Sequence, residues 1–242
     1  MAMNDKRKLY LSLYYHLKNL FVDQGYIAQS ENEELTLLSG KTYQANNDDW
    51  VYQDTSKYPV TVYDKNMNVD SANYTRNFIN GTITFNDSYT IQGTITVDYY
   101  YNQIHIRDAY PPKESFSIND LPMAVIIPGQ VPREGAFLGS TAHWNRYNYD
   151  IDFFGRTNSE MQDVTDDIES WLLHNTLIHQ LNFASGFPLL DTGEINTLYS
   201  SGVEYSLYRR DVISVPFPAE GLTEVERYRT AISFVLEDVK NF

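Results

Sequence analysis

An α+β fold is predicted: a central, mostly antiparallel sheet flanked by two helices, with a β-rich meander set within the chain. Three observations carry this expectation. Apolar residues recur at helical spacing over residues 5–23 and again from residue 159, whereas most of the remaining chain alternates apolar and polar residues with a period of two. The 242 residues also include 20 Tyr, with abundant Asn, Thr, Ser and Asp, a composition rich in strand and turn formers.

Tyr10, Leu13, Tyr14, Leu17, Leu20 and Phe21 line one side of the first helix, with Asn4 placed to cap its start and Gly25 to end it. Residues 30–49 are polar, acidic and poorly periodic, which predicts an irregular loop with a short apolar piece around 35–38. From Trp50 to Tyr110 five short alternating stretches follow, at 59–63, 72–74, 82–85, 94–99 and 104–106, separated by Asn- and Gly-containing turn signals. They read as an antiparallel meander with one buried face. Pro111-Pro112 closes it, because neither residue can donate to a ladder and both resist helix.

The run 121–127 is continuously apolar up to Pro128-Gly129, the pattern of a strand covered on both faces. A second strand is predicted over 143–154, stopped by Gly155. Ser159 and Gln162 have capping-box spacing, and Met161, Val164, Ile168, Trp171 and Leu172 line a helix expected to run to about residue 181. Acids at Glu160, Asp163, Asp166, Asp167 and Glu169 suit its positive N-terminal end. After a Gly- and Pro-punctuated loop at 185–193 come strand patterns through Tyr205 to Tyr208 and over 212–217, and a closing strand over 228–239.

Composition excludes several function classes. The chain lacks cysteine, so disulfide scaffolds, thiolate metal sites and cysteine nucleophiles are out. No apolar run is long enough to span a bilayer, and no secretory signal pattern follows the basic start, so neither a membrane nor export is expected. A formal charge of −14 disfavours a nucleic-acid groove, which needs Lys and Arg against phosphates.

Chemistry-bearing motifs are scarce, and no catalytic, cofactor-binding or metal residue is assigned. His174 and His179 are five apart, which misses the i, i+4 geometry of a zinc helix. Asp150 and Asp152 share a strand face, but no cation-loop spacing accompanies them, so a solvated polar face is the favoured reading over a metal-dependent hydrolase using them with a histidine. No serine sits in a Gly-flanked elbow. Asn73, Asn80 and Asn86 match the glycosylation pattern, more simply read as turn chemistry. Tyr99, Tyr100 and Tyr101, with Trp144 and Tyr147, form either an aromatic platform for sugar or protein or ordinary cross-strand packing.

Two stretches carry a resemblance. Residues 81–85 (Gly-Thr-Ile-Thr-Phe) and 93–101 (Gly-Thr-Ile-Thr-Val-Asp-Tyr-Tyr-Tyr) are similar to a β-meander wording of tailed-bacteriophage structural proteins. Residues 121–173 resemble the core of phage tail-terminator and tail-completion (neck) proteins: an apolar strand opening with a proline, a long hairpin, a strand ending in Asp150-Ile151-Asp152, then an acid-rich helix. This resemblance implies a terminator-like α+β core formed by residues 1–49 and 113–242, with residues 50–112 as a β-rich insertion.

It further implies a structural virion protein, not an enzyme and without cofactors, made in the host cytoplasm and placed in the tail or neck. It would form a homo-oligomeric, hexameric ring that terminates the tail tube and joins tail to head beside neighbouring neck and tail-tube proteins. Six copies multiply the −14 charge of each, so DNA passes the lumen without adhering. The alternative from another class is a soluble β-rich module that recognises carbohydrate or a host surface protein.

Overall fold

The computed structural model describes residues 5–112, 116–129, 133–135, 142–217 and 228–241. Helix α1 (Asp5–Asp23) opens the chain, and its predicted N-cap, Asn4, lies outside the described residues. Its end is a Schellman motif: Gly25, at φ +84°, donates to Val22 O at 3.2 Å and Tyr26 donates to Phe21 O at 2.8 Å. The Phe21 and Tyr26 rings meet edge to face at 6.0 Å, supplying the apolar contact that accompanies this cap.

The described residues fall into two compact units, one formed by Phe21–Gln103 with Phe183–Ser200 and the other by Ile104–Asn182 with the chain before Phe21 and after Ser200. The first is β-rich. Its strands are β1 (Ile27–Glu34), β2 (Thr36–Ser39), β3 (Thr42–Gln44), β4 (Thr61–Asp64), β5 (Met67–Asn68), β6 (Tyr74–Asn77), β7 (Thr82–Phe85) and β8 (Ile95–Asn102). They form two four-stranded antiparallel sheets, ordered β1-β8-β4-β5 and β2-β3-β7-β6. Trp50, stacked on Tyr99 at 4.6 Å, centres a core with Val62, Ile83, Ile95 and Val97. Gly81, at φ +63°, is required twice over: a Cβ there would strike the Asn47 carbonyl, the same oxygen that accepts from Trp50 Nε1 at 2.9 Å.

This unit corrects three expectations. Residues 30–49 are not an irregular loop but supply strands β1 to β3. Period two is lost there because β1 pairs along one side only, buries no residue fully, and carries a bulge between Ser30 and Glu33 where Asn32 sits at φ 52°. The 50–110 stretch is not a single meander either, since its strands are shared between two sheets. The insertion boundaries of 50 and 112 also shift, because β1 pairs with β8 and β3 pairs with β7 and carries β2 at its other side, while residues 104–112 leave with the other unit.

The second unit contains β9 (His105–Arg107), β10 (Met123–Pro128), β11 (Arg133–Gly135), β12 (Ala142–Phe154), α2 (Asn158–His174), β13 (Leu177–Leu181), β14 (Val203–Pro216) and β15 (Arg229–Asn241). Its seven-stranded sheet runs β13-β14-β15-β12-β10-β9, with β11 beside β12. Only β9 and β10 are parallel among the described pairings, so the fold is α+β with a mostly antiparallel central sheet, as the sequence predicts.

One sheet face is the core. Tyr147, Tyr149, Ile151 and Phe153 on β12, and Ile232, Phe234 and Leu236 on β15, are all buried, as are Leu9, Leu13 and Leu17 on α1 and Met161, Val164, Ile168 and Leu172 on α2. Each such aliphatic side chain contributes about 1.5–3 kcal/mol by leaving water. The helices are also pinned by polar contacts: Leu181 N donates to Ser12 Oγ at 2.9 Å, and His16 Nε2 donates to His179 O at 2.8 Å.

Helix α2 starts and stops earlier than its sequence predicts. Thr157, not Ser159, is the N-cap: its Oγ1 accepts from Glu160 N at 3.1 Å, while Glu160 Oε2 accepts from Arg156 N at 2.5 Å. The helix ends at His174 and not near residue 181, because Asn175 turns to extended backbone at φ −99°, ψ 90°, its Nδ2 capping Trp171 O, and Leu177–Leu181 pairs with β14. The patterns at 205–208 and 212–217 are one strand, interrupted by a register shift between Arg210 and Ile213.

Candidate functional site

The outer face of the seven-stranded sheet, opposite the helices, carries a mixed set of charged, polar and apolar side chains. Registers place Arg146, Asn148, Asp150, Asp152 and Phe154 of β12 there, beside Glu237, Val235, Ser233, Ala231 and Arg229 of β15. Across β15 lie Tyr208, Arg210, Ile213 and Val215 of β14, then Leu177 and His179 of β13. At the β10 corner this face is covered: Leu121, Met123, Val125 and Phe154 form a small core with Phe116 and Ile127. Towards β14 it is open, with Tyr208 61%, Ile213 59% and Val215 52% exposed.

Three charged groupings cross this face. Glu237 is almost buried, with Arg146 Nε at 2.8 Å and Arg210 Nε at 2.6 Å on its two oxygens. Asp150 accepts from Ser233 Oγ at 2.6 Å. Asp152 is buried beneath Arg229 and bonded to both Arg229 and the Tyr110 hydroxyl. The Arg229 guanidinium lies 4.3 Å from the Phe217 ring centre and 5.2 Å from that of Phe154, a desolvated cation on aromatic faces. Burial, then the Asp152 carboxylate, pushes the Tyr110 phenol up, so it stays a donor.

Asp150 and Asp152 thus share the predicted face but do not converge on a cation, since one is held by a hydroxyl and the other by a guanidinium. Among the described residues no three metal-ligating side chains come together. His174 closes α2 on Ser170 O at 2.6 Å, whereas His179 sits on β13 with Nδ1 2.8 Å from Ser206 Oγ. Burial lowers the pKa of His16, which packs 6.0 Å from Trp171.

The aromatic platform does not assemble. Tyr99 is fully buried against Trp50, Tyr100 meets Tyr58 edge to face at 5.2 Å, and Tyr147 lies in the core of the other unit. Beside α1 lies an open cleft of about 630 Å³, lined by Lys6, Arg7, Tyr10 and Asp108 among others. Asn73, Asn80 and Asn86 do serve turns: Asn77 Oδ1 accepts from Asn80 N at 2.9 Å, and Asn86 N and Nδ2 donate to Asn73 O and Ala72 O.

The residues that sequence reasoning missed are Tyr208, Ile213 and Val215. Their common face is hidden because the shift after Arg210, where Asp211 adopts φ 50°, changes the phase of the alternation midway along β14. The remaining signal is apolar residues on both faces of a strand with only one face covered.

No family model matches the chain, and no curated protein matches it.

Proposed function

We propose that this chain is a structural subunit of a tailed-phage virion, forming a ring at the neck that terminates the tail tube and joins it to the head. The observation that carries this reading is the open β14 side of the sheet, where three large apolar side chains stand in water beside an arginine. Exposed apolar clusters on a rigid sheet mark interaction surfaces, and a long sheet offers two opposite surfaces for two neighbours.

Two further features support it. Within residues 121–173, which resemble the terminator core, the short strand β10 pairs with the long strand β12, and the acid-rich helix α2 packs against β12. Asp150 and Asp152, the carboxylates of the hydrolase reading, are instead tied to Ser233 and to Arg229 with the Tyr110 hydroxyl. The test is an image of the assembled particle together with the native mass of the purified chain. The expected result is density for this chain at the head–tail junction and a mass that is a multiple of 28.0 kDa. Substrate turnover by a chain that stays single at every concentration overturns the reading.

A further inference from the structure

Resting on that reading, we infer that the subunit contact is face to back: the open β14 side of the sheet in one copy seats on the acidic outer stripe of α2 in the next. Both surfaces belong to the same unit and lie on opposite sides of one sheet. Helix α2 has no Lys or Arg in its 17 residues, and its outward stripe carries Asp166, Glu169 and Leu173 at i, i+3 and i+7, with Asp163 beside them. Leu173 is 56% exposed. The sheet face offers the matching chemistry in Arg210, whose side chain is 59% exposed and shares a carboxylate that Arg146 also holds, in one row along β14 with Tyr208, Ile213 and Val215.

Charge sign selects this pairing over the alternatives. Helix against helix would oppose two acidic stripes, and sheet face against sheet face would leave those acids unmatched. Face against back joins apolar to apolar and guanidinium to carboxylate. Because the complementary patches lie on opposite sides of one layer, each copy keeps a used and an unused patch after every addition, the heterologous arrangement that closes into a ring or runs on as a filament.

The test uses the full chain in native mass measurement and light scattering, with thermal melting to confirm that each variant folds; the substituted side chains are exposed. Ile213→Asp is expected to leave single copies. Arg210→Glu is expected to weaken association by about tenfold or more, the effect of losing roughly one interfacial charge pair. Asp166→Arg added to Arg210→Glu is expected to restore association. A wild-type oligomer whose mass is indifferent to Ile213→Asp and Arg210→Glu overturns this contact and leaves the ring standing. Failure of Asp166→Arg to rescue overturns the α2 half of the pairing, and a closed dimer overturns the face-to-back arrangement. A wild-type chain that never associates overturns the contact and the ring together.

Discussion

Arg229 shows how much one side chain can do in this protein. It neutralises Asp152, donates to the Tyr110 hydroxyl at 3.1 Å, and lies across Phe217, so it holds the outer corner of the sheet closed. Arg229→Met removes one partner of a nearly buried pair and is expected to destabilise the chain by about 3–5 kcal/mol, read by chemical denaturation. Tyrosines report the same burial. Burial pushes Tyr99 from its ordinary 10.0 up to about 12, with the Glu33 carboxylate adding to the rise. Above pH 10 the unfolded chain therefore ionises first and binds fewer protons than the folded one, so stability falls as pH rises from 10 towards 12. Tyrosinate absorbance in the folded chain is expected to lag that of the denatured chain over this window. His16 acts at the other end: with its folded pKa held below 6.5, the unfolded state takes up the proton first, and stability falls as pH drops through 6.5 and below. Replacing His16 with Gln is expected to flatten that part of the denaturation profile.

Elements that bury one continuous face were legible in the sequence, and those that do not were misread. Helix α1 presents Leu9, Leu13 and Leu17 at regular spacing and ends on a glycine, so its bounds can be read directly. Gly25→Ala has open space for the methyl group but must hold φ +84°, and is expected to cost about 1 kcal/mol in thermal unfolding. Strand β1 has no such stripe. It exists because its backbone pairs with β8 and because Glu33 accepts from Tyr99 OH at 2.7 Å and Asn46 N at 2.6 Å, partners far along the chain. The helix predicted to run to about residue 181 overshoots for a related reason, since the stripe of Met161, Val164, Ile168, Trp171 and Leu172 carries no stop signal. What ends the helix is the extended backbone of Asn175, whose Nδ2 caps Trp171 O and after which the chain pairs with β14 as its outer partner.

At the scale of the whole molecule, charge and exposed apolar surface point the same way. With −14 formal charge and an acid-rich helix free of Lys and Arg, the chain is expected to leave duplex DNA unretarded in a low-salt gel, as the proposed ring role requires. Asp163→Asn, Asp166→Asn and Glu169→Gln together are expected to impair association of the subunits before they create any DNA affinity. The amino-acid sequence by itself determined the α+β class, both helices, the long strands and the absence of thiol chemistry, because periodicity and composition are properties of neighbouring residues. Only the tertiary structure decided which strands share a sheet, which tyrosines are core, and that Tyr208, Ile213 and Val215 stand together on one face. Those facts depend on backbone pairing between distant segments and on a register shift within β14, which local hydrophobic order does not specify.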